Sequence, residues 1–208
     1  MDKSNVIVVG VGSCGSNQVN TFIDSSEMPY HTMIASTAAD IMEYSLADET
    51  LSLIAQGITP AKGLNGSVEL GKKTGEHFSA DFLQRVAPFE TIVFLAGLGG
   101  GTGTGVTSIF ARNAIEAGKK VLCIAVLPFN FEGKLRKTNA TDALAELQNA
   151  GAWVIAFDNQ GLFKLADDKT TFADAFRMAD KEILNIFKNC AAHDFDRQRI
   201  ECEALLSA

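Results

Sequence analysis

Long apolar runs are missing from this chain. The most extended, residues 121–129, falls well short of the roughly 18 residues that a membrane-crossing helix needs. The opening Met1-Asp2-Lys3-Ser4-Asn5 has no secretory-signal pattern, so the expectation is a cytoplasmic protein without membrane insertion. Cysteine is scarce as well. Cys14, Cys123, Cys190 and Cys202 show no C-x-x-C spacing and have three histidines for company, which argues against a zinc centre or a disulfide framework and for reduced, mostly buried thiols. Cations are outnumbered, 18 Lys and Arg against 25 Asp and Glu, and the resulting net charge of −7 argues against the basic face that nonspecific nucleic-acid binding requires. No internal repeat or low-complexity tract interrupts the chain.

What is present is enough apolar material for one substantial core, 47% of 208 residues, which predicts a single α/β domain with a tail. Apolar segments alternate with helical ones, the pattern of a parallel sheet covered on both faces. Strands are predicted at residues 6–9, 32–35, 51–55 (weakly), 92–96, 121–127 and 153–157, and helices at 16–23, 38–46 and 135–148, the last closed by Gly151. Residues 57–71 read as a Gly-rich loop. Thr171-Phe172-Ala173-Asp174 resembles a capping box, and apolar residues at 172, 176, 179, 183, 186, 187 and 190 recur at helical spacing, so a long amphipathic helix begins there. A charge-dense stretch follows from His193.

Two glycine runs carry the chemistry. Gly97-Leu98-Gly99-Gly100-Gly101-Thr102-Gly103-Thr104-Gly105 joins a strand to a helical segment and reads as a phosphate cradle: bare amides converge on one anion, the helix dipole assists, and two threonines add hydroxyl donors. Gly10-Val11-Gly12-Ser13-Cys14-Gly15 fits G-x-G-x-x-G, yet the second strand runs into Ala35-Ser36-Thr37-Ala38 with no timely acidic residue, so a dinucleotide-binding oxidoreductase ranks low. Two such loops at adjacent strand ends can embrace one di- or triphosphate, a ligand compatible with the acidic chain when amides and Mg²⁺ hold it. Gly66-Ser67-Val68-Glu69-Leu70-Gly71-Lys72-Lys73 mimics a P-loop but places Lys73 where a hydroxyl must meet Mg²⁺, and is read as a decoy.

With these loops in view the chain resembles the tubulin/FtsZ superfamily, its FtsZ branch above all. The resemblance rests on Gly99 to Gly105, on Val8-Val9-Gly10-Val11-Gly12 with Gly15 and Asn17, on Pro128-Phe129-Asn130-Phe131-Glu132-Gly133-Lys134-Leu135-Arg136, on Asp158-Asn159, and on Asp174-Ala175-Phe176 with Asp180. It implies a three-layer α/β fold, a parallel sheet flanked by helices. It also implies a GTP/GDP site with Mg²⁺ carried by the phosphates rather than by protein ligands. The implied site comprises Gly12, Ser13, Cys14, Gly99, Gly100, Gly101, Thr102, Gly103 and Thr104 around the phosphates. Glu132 would sit on the ribose, Arg136 toward the phosphates, Asn17 and Asn159 on base and ribose, Phe176 stacked on guanine and Asp180 accepting from it. Cys14 is read as a small residue tolerated near the phosphates.

The chain departs from the family pattern at Ser36-Thr37-Ala38, where a carboxylate is usual, and at Gly63-Leu64-Asn65-Gly66-Ser67-Val68, so triphosphate sensing is expected to differ. Counted without gaps, the family's catalytic loop falls on Ile200, Cys202 and Leu205, none of which can polarise water; Asp194 and Asp196 qualify only if the long helix is about two turns shorter. Residues 1–170 are thus expected to form a GTP-binding domain, 171–192 a central-type helix completing the site, and 193–208 a charged tail. The implied activity is GTP-dependent filament formation with weak or assembly-dependent GTP hydrolysis, the partner being the protein itself. The alternative is a non-polymerising module that caps or regulates filaments of a longer relative.

Overall fold

In the computed structural model, residues 3–25, 28–55, 64–164 and 171–196 are described. Residues 57–63 of the glycine-rich loop, the end of the first predicted domain at 165–170, and the tail positions 197–208 with Ile200, Cys202 and Leu205 lie outside the described residues. The chain runs β1 (Val6–Val11), α1 (Gly12–Asp24), β2 (His31–Ser36), α2 (Ala39–Glu43), β3 (Glu49–Ser52), α3 (Val68–Val86), β4 (Thr91–Gly97), α4 (Thr107–Glu116), β5 (Lys120–Leu127), α5 (Lys134–Asn149), β6 (Trp153–Asp158) and α6 (Phe172–Ala192). All pairings are parallel and the order is β3-β2-β1-β4-β5-β6.

Strand periodicity divides the apolar side chains between two layers. Ile7, Val9, Val11, Phe94 and Cys123 meet Phe82 and Val86 of α3, Phe110 and Ala114 of α4, and Leu147 of α5. Val6, Val8, Val93, Leu95 and Ile124 meet Val19 and Phe22 of α1 and Ile183 and Phe187 of α6. Helices therefore cover both faces, as the uninterrupted burial of β1 and of the first six residues of β4 requires. The sheet order reverses between β1 and β4, and their carboxyl ends open a crevice there.

The elements follow the predicted order with shifted ends: α1 begins at Gly12 rather than 16 and α2 closes at Glu43 rather than 46. β3 lies two residues earlier than expected, and Leu53 beyond it is buried, with its N–H donating to the Ser36 carbonyl at 2.9 Å. The nineteen-residue α3 goes unpredicted because Gly71, Thr74, Gly75 and Ser79 dilute its apolar pattern. The helix needs small residues: a Cβ on Gly71 would stand 2.1 Å from the Gly101 carbonyl oxygen. The P-loop look-alike is the turn and capped start of this helix, with the Ser67 hydroxyl accepting from Leu70 N–H. Lys73 pairs with Glu69 at 2.9 Å and Lys72 with Glu146 of α5.

Gly71→Ala should therefore cost about 3 kcal/mol or more, since backbone rather than a side-chain tip blocks the added methyl. Urea unfolding of the two proteins measures this, and a loss below about 1 kcal/mol would show that α3 shifts freely.

Candidate functional site

The crevice is a cleft of about 410 Å³ at the carboxyl ends of β1, β4 and β5. The first loop contributes Gly12, Ser13 and Cys14, with Gly12 in the left-handed region at φ 68°. The second contributes Gly97, Leu98, Gly100, Gly101, Thr102 and Gly103, and Gly101–Val106 winds as a π-helix that runs straight into α4. The amino end of that helical stretch thus faces the cleft and offers amides and positive dipole to an anion.

Gly99 and Thr104 turn to one another: the buried Thr104 hydroxyl accepts from Gly99 N–H at 2.7 Å, which ties the two ends of the cradle together. Gly99 has φ 105°, and a Cβ there would stand 2.8 Å from the Arg136 carbonyl oxygen, which fixes the cradle against α5. Thr102, by contrast, faces the cleft and its hydroxyl lies 3.1 Å from that of Thr37 at the end of β2.

The other wall is aromatic. Phe129 is buried; Phe131 stacks on it at 5.0 Å and Phe176 meets it edge-on at 5.9 Å, with Phe131 and Phe176 both exposed as a ready platform for a planar ring. Glu132 accepts from Phe129 N–H at 2.8 Å and pairs with Arg136. Lys134, Arg136 and Lys137 crowd the first turn of α5, which holds no acidic residue. Asn159 is buried at the cleft edge and its Oδ1 has no hydrogen-bond partner among the described residues, an acceptor suited to a ligand donor.

Asn17 and Asp180 are not among the residues that line the cleft. Asn17 is exposed on α1 one turn beyond Ser13, and Asp180 is partly buried one turn below Phe176. Burial raises the Asp180 carboxyl above its ordinary value. Cys14 keeps open surface toward the cleft, yet its thiol is pushed up to about 12 by burial and by the negative charges of Asp180 and Glu132. Its sulfur accepts from Gln18 Nε2 at 3.6 Å. Alkylation of Cys14 by iodoacetamide at pH 8 should therefore run about a hundredfold slower than that of free cysteine, followed by peptide mass mapping. Labelling at the free-thiol rate would contradict this environment.

Sequence reasoning gave no role to Phe129, Phe131, Thr37 or Gln18. The two phenylalanines stood in the quoted Pro-Phe-Asn-Phe block and Thr37 in the Ser36-Thr37-Ala38 departure; nothing in the sequence marked Gln18.

α6 ends at Ala192, and Asp194 and Asp196 lie just beyond it. Asp194 and Phe195 are both left-handed (φ 55° and 53°), and buried Phe195 packs on Tyr30 and Phe187 at 5.5 and 5.6 Å. Because α6 has 21 residues, it carries Asp194 and Asp196 about 30 Å from the cleft.

Among the described residues, none lining the phosphate end offers an unpaired carboxylate to a metal ion. The described lining residues there supply amides and the hydroxyls of Ser13 and Thr102, Glu132 is paired with Arg136, and no group of three acidic, His or Cys residues forms a metal centre among the described residues. That donor set fits a Mg²⁺ carried in on phosphate oxygens and water.

The model of the Tubulin/FtsZ family, GTPase domain, matches residues 5–167. The cell division protein FtsZ of Wolbachia sp is 37% identical over 189 residues, covering 84% of this chain and 47% of that protein. The FtsZ of Rickettsia felis is 36% identical over 180 residues, covering 86% and 39%. The chain thus spans less than half the length of these curated relatives. Among solved structures, an empty FtsZ dimer from M. jannaschii superposes with a TM-score of 0.81 at 26% identity, covering 89% of this chain and 54% of that one. CetZ2 from Haloferax volcanii, a GTPgS-bound protofilament, shares the fold with a TM-score of 0.75 at 21% identity, covering 87% and 56%.

Proposed function

This chain belongs to the tubulin/FtsZ family and carries its GTPase domain, and from that premise we propose that it binds guanine nucleotide in the cleft and assembles into GTP-dependent filaments that hydrolyse GTP between subunits. The layout of α6 carries the reading: a ring platform and a carboxylate, Phe176 and Asp180, stand at its cleft end, and Asp194 and Asp196 at the other.

The cradle amides of residues 100–103 bind the phosphates, aided by the helix dipole, while Arg136 faces them from α5. Phe176 and Phe131 hold the base by its faces. Asp180 accepts from N1–H and the 2-amino group, donors that adenine lacks, and Asn17 and Asn159 complete the base and ribose contacts. Glu132 accepts from ribose hydroxyls. Mg²⁺, when bound with the phosphates, supplies neutralisation of charge on the β- and γ-oxygens. The protein's own acidic pair is too far away to activate water at its own cleft, so Asp194 or Asp196 of a neighbour stacked above polarises the attacking water, and turnover follows assembly.

In this reading residues 1–170 form the nucleotide-binding domain, 171–192 complete the site and 193–208 form a charged tail. The filament is cytoplasmic; no helix of the described residues is long and apolar enough to cross a membrane.

Light scattering with phosphate release, titrated with GTP, GDP and ATP in the presence of Mg²⁺, tests the proposal. Assembly and turnover above a critical concentration with GTP alone support it. GTP binding without either, combined with inhibition of a longer relative's assembly, would replace it with the capping role.

A further inference from the structure

The two edges of the sheet are built differently. β3 has four residues, and its Glu49 is tied to His31 at 2.9 Å and to Arg85 at 3.1 Å, so a short charged edge discourages strand pairing. β6 carries none of these devices. Its six residues, Trp153-Val154-Ile155-Ala156-Phe157-Asp158, hold one charge, at the end, and no Lys or Pro. Not one is buried, whereas all of β1 is. Trp153, Ile155 and Phe157 lean on the α6 layer and Val154 on the α5 layer, each half-covered, and Ala156 is exposed. Beyond β5 this strand has no strand partner among the described residues.

We infer that the free edge of β6 is an interface for a second copy of this chain, joined antiparallel across a twofold axis. A bare extended peptide would satisfy the edge N–H and C=O groups but leave both half-covered faces open. A second β6 arrives flanked by its own α5 and α6 and covers them. Antiparallel alignment about that axis keeps each face with its like and sets Trp153 opposite Phe157, Ile155 opposite its own copy and Val154 opposite Ala156, favourable aromatic and β-branched pairings. It also sets each Asp158 opposite Ala152, whereas parallel alignment would abut the two carboxylates. The contact is isologous and self-limiting, and it lies on the flank of the sheet, so it forms without nucleotide and leaves the cleft open.

Sedimentation equilibrium on the full chain tests this, without nucleotide and with GDP. The mass should rise from 22.2 kDa toward twice that value over about 1–200 µM, the range suited to a small interface, in both conditions. Ala156 is exposed, so Ala156→Lys and Ala156→Glu leave the fold intact; each should weaken dimerisation by about tenfold or more, while Thr50→Lys on β3 leaves it unchanged. A chain that stays monomeric throughout, a dimer that needs nucleotide, or a dimer indifferent to both Ala156 variants would overturn the inference. Binding of a fluorescent guanine nucleotide, measured on the same samples, reports separately on the cleft.

Discussion

Asp180→Ala should lower the affinity for GTP by about a hundredfold and bring ATP to near parity, while the empty protein melts no earlier than the parent. The first effect follows from leaving N1–H and the 2-amino group of a bound guanine without their acceptor, worth roughly 1.5–3 kcal/mol for a charged partner. The second follows from the burial that raises this carboxyl: in the empty cleft its charge is a cost, and alanine removes it. A residue of purely structural importance would lose stability and affinity together. The sign of the pH dependence is fixed by the same shift. Because the folded value lies above the unfolded one, the empty fold is favoured by the protonated form and loses that stabilisation as pH rises through the shifted value. Guanine binding needs the ionised form and releases the proton, so affinity should fall as pH drops below the shifted value, by up to about tenfold per pH unit. Titration calorimetry across acidic pH, repeated on Asp180→Ala, should find the slope in the parent alone.

Paired changes to Asp194→Asn and Asp196→Asn should reduce GTP turnover by about a hundredfold or more while leaving GTP affinity within about twofold, because these groups lie a helix length from the cleft of their own chain. Asn is the replacement of choice, since it tolerates the left-handed backbone that Asp194 adopts. Mixing this variant with Asp180→Ala should restore part of the lost turnover, as an intact cleft of one chain meets an intact acidic pair of the other. No recovery in any ratio would sink the shared-site mechanism.

The glycine runs made the strand-to-helix turns at both loops legible, because few other uses exist for so many uncovered amides between apolar strand and helix. The long terminal helix was equally plain from its capping signal and spacing. α3 was not: its glycines lie flat against the cradle, and a residue chosen for close backbone approach erases the apolar stripe that marks a helix. The role of Thr104 was hidden for a related reason, since composition shows a hydroxyl but not which way it points. The end of α6 depended on Phe195, whose burial among Tyr30 and Phe187 halts the helix in a way that counting along the chain does not reveal.

The cations on the opening turn of α5 have a consequence for how the protein survives in use. Lys134, Arg136 and Lys137 sit where the helix dipole is already positive, and among the described residues only Arg136 has a carboxylate beside it. If phosphate binds there as proposed, its charge should hold that turn, so limited proteolysis near α5 should run slower with nucleotide present than without it.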